Sequence, residues 1–197
     1  MSPAHVLEPT YHRLKRALMD GMWPCGAKLE AMRLAEDFGV SMTPVRDSLN
    51  QLVGEGLVDL TPGEGFRVVT LTEQTLRDLL EMNALLLKQA SGAGRTALSK
   101  PEPASNVDEY ADRIARVFSL LAAKSSNRIL EDFVTRIGER LHPVRRHEPE
   151  VLPNALKTLA ELEDSLAGSE RERRQVLTRY HRNCQVHIPL LVSLVGS

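Results

Sequence analysis

Aromatic residues are scarce. One Trp, three Tyr and four Phe make up 4% of the 197 residues. A surface that stacks unpaired bases needs several exposed rings, so this composition argues against a single-strand binder. Cysteine is scarcer still. Cys25 and Cys184 fall in different halves of the chain, which argues against a disulfide framework and fits a reducing cytoplasm. No stretch approaches 18 consecutive apolar residues, and the start lacks the basic-then-apolar pattern of a signal peptide, so no membrane association is expected. There is no excess of one charge either: 25 Lys/Arg against 26 Asp/Glu give a net charge of -1. What is present is ordinary for a globular protein, with 42% hydrophobic and 26% charged residues. The length suits two small domains. No internal repeat is visible, and Lys100 to Ser105, with two prolines, reads as a loop.

The segment from Ser41 to Val69 carries the most information. Val45, Leu49, Leu52 and Val53 recur at i, i+4, i+7, i+8, the buried face of a helix. Ser41 and Thr43 are candidate caps, Pro44 fits a first turn, and Gly54 and Gly56 are expected to end the helix. The apolar runs Leu57 to Leu60 and Phe66 to Val69 flank Thr61-Pro62-Gly63-Glu64-Gly65 and predict a hairpin. Upstream, Tyr11, Leu14, Ala17 and Leu18 form one helical stripe closed by Gly21, and Leu34, Ala35 and Phe38 form a shorter one closed by Gly39. Helix, helix, glycine turn, helix and ribbon is the order of a winged helix-turn-helix, which reads the major groove of duplex DNA. A generic small helical domain with a hairpin would give the same periodicity.

From Thr72 onward the period is helical. Five stripes follow: Leu76, Leu79, Leu80, Leu86, Leu87 and Ala90, interrupted by Asn83; Val107 to Leu121; Ile129, Leu130, Phe133, Val134, Ile137, Leu141 and Val144; Leu152 to Leu166, including Leu156; and Val176 to Leu191, including Leu190, expected to bend near Pro189. Short connections imply an antiparallel bundle. The fold expected is therefore mainly α, an N-terminal winged helix-turn-helix over residues 1–70 followed by an all-helical bundle over 71–197.

The run LEAMRLAEDFGVSMTPVRDSLNQLVGEGLVDLTPGEGFRV resembles the DNA-binding domain of GntR-family bacterial regulators. The matching positions are Leu34-Ala35, Phe38-Gly39-Val40-Ser41, Thr43-Pro44-Val45-Arg46, Leu52 with Glu55-Gly56-Leu57-Val58, and the wing Gly63 to Gly65. The resemblance implies DNA contacts from Arg33, Ser41, Met42, Thr43, Arg46, Gly63, Gly65 and Arg67. It also exposes departures: Met32 and Met42 stand where the family usually has Arg. Methionine offers only apolar contact, for instance to a thymine methyl. Residues 1–70 carry seven Lys/Arg against nine Asp/Glu, so positive potential must be local, at Arg13, Lys15, Arg16, Arg46 and Arg67.

The helical half resembles the FadR-type (FCD-like) branch of that family through LRDLLEMNALLLKQA, VFSLLAAKSSNRIL and LAELEDSLAGSERERRQVLTRYH. Many such domains hold a divalent metal through one Asp and three His. Here Ala115, Ser119 and Leu159 stand at three of those positions and only His181 survives. One imidazole makes no metal site, so no metal and no other cofactor is expected. Asn83, Ser119 and His181 are the polar residues expected to face the effector. The default reading of His181 is nonetheless a hydrogen-bonded core or pocket histidine, and that of Asn83 a bond to a neighbouring helix. His142 and His147, flanking Pro143 in the basic segment LHPVRRHE, read as surface residues.

The function expected is a ligand-responsive regulator that binds double-stranded operator DNA as a homodimer. Its effector would be a small molecule bound without metal in a mainly apolar pocket. The alternative is a module of the same fold that has lost specific DNA binding. No nucleophile elbow, phosphate loop or metal-helix motif suggests an enzyme.

Overall fold

Ten helices and three short strands are seen in a computed structural model that describes residues 4–92 and 110–196. The expected loop from Lys100 to Ser105, and Val107, lie outside the described residues. The described residues divide into two compact units: residues 4–71 with 195 and 196, and residues 72–92 with 110–194.

In the first unit, α1 (Ala4–Met19), α2 (Ala31–Phe38) and α3 (Met42–Glu55) precede a small sheet. The stripes expected from the sequence meet in one core, where Leu14, Leu18, Leu34, Ala35, Val45, Leu49 and Leu52 are buried together with Leu29, Leu57 and Val58. Two helices end by one device. Gly39 and Gly56 take φ of 66° and 73°. The next amides, of Val40 and Leu57, reach back to the carbonyls of Ala35 and Leu52 at 3.0 Å. A left-handed residue followed by an apolar one closes both helices, and glycine adopts that φ without Cβ strain. Gly54 lies inside α3 rather than ending it.

β2 (Val58–Thr61) and β3 (Gly65–Val68) form the expected hairpin, in the register Asp59 to Arg67 and Leu60 to Phe66. Its tip is a tight turn, with the Glu64 amide on the Thr61 carbonyl at 3.0 Å. Pro62 followed by Gly63, with φ of 83°, is the order of a type II turn. A third strand, β1 (Lys28–Leu29), was not expected. It pairs antiparallel with β3, giving the order β1-β3-β2.

The second unit holds α4 (Glu73–Ser91), α5 (Tyr110–Ala123), α6 (Arg128–Arg145), α7 (Glu148–Val151), α8 (Ala155–Ser165), α9 (Glu170–Val186) and α10 (Ile188–Val195). Side-chain caps start three of them. Thr72 accepts from the Thr75 amide, Asn127 from Leu130, and Ser169 forms a reciprocal capping box with Glu172. α4 packs on α5, α6 and α9, while α5 also packs on α6 and α8.

Three expectations need correction here. The fifth stripe is two helices, because Pro189 lacks the amide a continuous helix would use, and the break falls at His187. The segment from His142 to Arg145 completes α6 instead of forming a surface loop. Ile129, Phe133, Leu156 and Leu190 are 54–64% exposed rather than in the core.

Candidate nucleic-acid interface and bundle interior

α3 presents two faces. Val45, Leu49 and Leu52 are fully buried against α1 and α2, while Ser41, Met42, Thr43 and Arg46 are exposed at its start. Ser41 occupies the N-cap position, yet its hydroxyl makes no cap bond. Ser48, one turn on, is buried with its hydroxyl donating to the Pro44 carbonyl at 2.7 Å. The polar start of the helix is therefore free while its body is fixed. Arg33 is exposed on α2, next to the exposed Met32. Gly63 and Gly65, with φ of 83° and 88°, form an open wing tip.

Most cations of this unit are already engaged. Lys15 pairs with Glu55 at 2.9 Å, and Tyr11 donates to the same carboxylate at 2.7 Å. Burial alone would raise the Glu55 pKa, but the bonds from Tyr11 and Lys15 outweigh it and hold the carboxyl below its usual range. Arg16 pairs with Asp20 at 2.9 Å, and the Arg13 guanidinium lies 4.1 Å above the Phe38 ring. Arg67, expected to contact DNA, donates to the Gly26 carbonyl at 3.2 Å and lies 3.6 Å from Glu64. Among the described residues, Arg33 and Arg46 have no hydrogen-bond or ion-pair partner.

The bundle interior is more polar than its sequence suggests. Asn83 on α4 and His181 on α9 are both buried and meet at 3.0 Å. The Phe118 ring of α5 stacks on His181, with centroids 6.0 Å apart. Ser119 is a correction: it is exposed and does not face this centre. The buried arc of α5 is set by Ile114, Val117, Phe118 and Leu121, and Ser119, about 100° beyond Phe118, falls outside it.

The His181 tautomer follows from its neighbours. Nδ1 is 2.8 Å from the Leu177 carbonyl oxygen, which can only accept, so Nδ1 carries the proton. Burial pushes the imidazole pKa down to about 4, which leaves Nε2 bare at neutral pH. The Asn83 atom facing it is assigned as Oδ1, and two acceptors cannot share a bond. Rotating the amide by half a turn resolves the conflict. Nδ2 then donates to His181, and Oδ1 takes the position that has no partner among the described residues.

A second cluster was missed by the sequence reading. Glu148, on α7, is buried and receives Tyr110 at 2.9 Å and Tyr180 at 2.8 Å, with the Cys184 thiol at 3.6 Å. Burial raises its pKa against the pull of Arg145 and these donors. Arg145 is itself 1% exposed and lies 5.0 Å from the Phe118 ring centroid. His142 is equally buried and meets Asp112 at 3.1 Å. The available signal was spacing: Leu141, Arg145 and Glu148 continue the stripe of α6, but the proline and the charges masked it. Among the described residues, no group of three or more His, Cys, Asp or Glu is placed to hold a metal ion. Among them, no helix is long and apolar enough to cross a membrane.

Residues 8–68 match the family model of bacterial regulatory proteins of the gntR family. The HTH-type transcriptional regulator YdhC of Bacillus subtilis strain 168 is 23% identical over 197 residues, covering 89% of this chain and 88% of its own. The HTH-type transcriptional repressor GlaR of Escherichia coli K12 is 32% identical over 88 residues, 43% of this chain and 40% of that protein. A solved structure from Rhodococcus sp. RHA1, described as a GntR transcriptional regulator, superposes with a TM-score of 0.70 at 18% identity. It covers 93% of this chain and 97% of its own. That likeness extends the shared fold through the helical unit.

Proposed function

We propose that this chain, a DNA-binding transcriptional regulator of the GntR family, binds its operator as a homodimer through α3 and responds to a small molecule held by its helical unit. The observation that carries the DNA half is the first turn of α3. Ser41, Met42, Thr43 and Arg46 stand exposed, and Arg46 has no partner among the described residues. A helix whose N-terminal side chains are free and whose opposite face is anchored is the element that enters a major groove.

Dimerisation is supported by apolar side chains left on the surface. Met82 and Leu85 on α4 and Ile129 and Phe133 on α6 are 48–64% exposed, on two helices that pack together. Large hydrophobes left exposed on neighbouring helices are candidates for protein contacts. The helical unit is read as an effector domain of the FadR (FCD) type, working without metal because His181 is already satisfied by Leu177 and Asn83. Two free cysteines fit a reducing cytoplasm.

A second reading, an interaction module with weakened DNA binding, is motivated by Met32 and Met42, 63% and 42% exposed at positions where cations would grip phosphate. A mobility-shift assay on the DNA upstream of the gene separates the two. The regulator gives one sharp complex that weakens as salt rises, on a site with two half-sites about one helical turn apart. Binding that ignores sequence, or no complex at low salt, rejects it.

A further inference from the structure

The second unit also opens to the outside, between α8 and α9. There a groove of about 450 Å³ runs along the two helices, the size of a small-molecule site. Asn183 of α9 ties the walls together at one end, donating to the Pro153 carbonyl at 3.4 Å. Thr158 of α8 forms part of the lining. It is 8% exposed, and its hydroxyl makes no hydrogen bond to the described residues. A buried hydroxyl normally finds a partner, so this one opens into the groove with its bond unmade. Asn154, at the N-cap of α8, makes no side-chain cap bond. The first-turn amides there keep an uncompensated partial positive charge. Two full charges stand beside them. Lys157 on α8 and Arg182 on α9 line the groove, are exposed, and have no hydrogen-bond or ion-pair partner among the described residues. The third cation, Arg179, is paired with Glu161 on the facing helix. Lys157, Arg179 and Arg182 against Glu161 leave the lining with a net charge of +2. Several donors converging beside a helix start, with two positive charges in excess, suit a dianion carrying three oxygens on one centre. Pro153 and Val186 add a small apolar edge, and none of the described lining residues is aromatic. The body attached to such a dianion is therefore a compact polyol, not a ring system that needs a stacking partner.

We propose that the α8–α9 groove binds a small phosphate monoester of a sugar or polyol, with Lys157, Arg182 and Thr158 holding the phosphoryl oxygens. As a binding site this stands on the groove alone. As an effector site it rests on the reading of the helical unit as the responsive domain, and it places the ligand on the outside of the bundle.

The test uses the full chain. Glycerol, ribose and glucose, each beside its terminal phosphate monoester, and inorganic phosphate are titrated in calorimetry and in thermal unfolding, with operator binding measured in parallel. At least one ester is expected to bind saturably and raise the unfolding temperature, while its parent polyol does neither. Lys157→Met and Arg182→Gln change exposed side chains, so the unliganded unfolding temperature should hold. Each is expected to weaken the ester at least about tenfold, the loss of one charged contact. The double variant should abolish binding, and Thr158→Val should weaken it with the helical circular dichroism retained. Arg136→Gln, an exposed control on α6, should change nothing. The inference is overturned if no ester of the panel binds the wild-type chain, or if binding survives undiminished in the double variant. It is also overturned if the parent polyols bind as well as their esters, or if inorganic phosphate binds as tightly as every ester. Variants that weaken only the grip on unrelated duplex, with no ester bound, overturn it too, because the groove is then a contact to DNA phosphate. The two readings fail separately. An ester that binds through Lys157 and Arg182 without touching operator affinity keeps the site and removes the coupling.

Discussion

Arg46 concentrates the DNA argument in one side chain. It is exposed, it follows buried Val45 by one residue, and it has no partner among the described residues. Arg46→Ala is expected to cost about 1–3 kcal/mol of operator affinity while leaving the unfolding temperature unchanged. Mobility shifts and differential scanning fluorimetry read the two quantities independently. Met42→Arg should act in the opposite sense, tightening binding to unrelated duplex and steepening its salt dependence. His181 supports a prediction about pH. Burial lowers its folded-state pKa to about 4 from 6.5. Between those values the unfolded chain takes up a proton that the folded chain refuses. Stability from this residue is therefore complete above pH 6.5 and is lost as pH falls toward 4. Glu148, with its raised pKa, works in the other direction, so the comparison must be made at a fixed Glu148. Urea unfolding at pH 7.5 and 5 should show a smaller loss on acidification in His181→Gln than in the wild type.

At the scale of elements, the closing glycines decide how α2 and α3 meet. Gly56→Ala places a Cβ at φ of 73° and is expected to destabilise the first unit by about 1 kcal/mol or more, measured as a lower urea midpoint. The same αL glycines made this unit legible. Gly39 and Gly56 punctuate a 3.6-residue period, and Pro62-Gly63 fixes a turn, so the sequence signal and the backbone geometry coincide. β1 was not legible because a strand of two residues has no alternation to read, and its pairing with β3 is set by the fold. The wing cation Arg67 could be placed in sequence, but not its bond to the Gly26 carbonyl 41 residues away. In the helical unit, Pro143 concealed the end of α6. A proline reads as a break, yet neighbouring helices can hold such a segment in place, and Arg145 and Glu148 then turn inward. Asn83 and His181 were recognisable as polar residues on apolar stripes, but only packing shows that each satisfies the other. Ser119 failed because the residues that carried it were matched one step out of phase with the buried face.

For the whole molecule, the exposed apolar residues of α4 and α6 set the expected assembly. Phe133→Glu should convert a dimer to a monomer in analytical ultracentrifugation while the helical circular dichroism is retained, and operator affinity should fall as the half-sites become independent. A wild-type monomer at micromolar concentration would remove that interface. The internal pairing of Lys15 with Glu55, Arg16 with Asp20 and Arg67 with Glu64 has a consequence for life on a chromosome. Each cation spoken for inside the protein is one fewer hand on anonymous backbone, and anonymous backbone is nearly all that a genome offers. Such a regulator is a poor passenger on bulk DNA. It is expected to leave unrelated duplex readily, so that most of its contact with DNA falls at its own site.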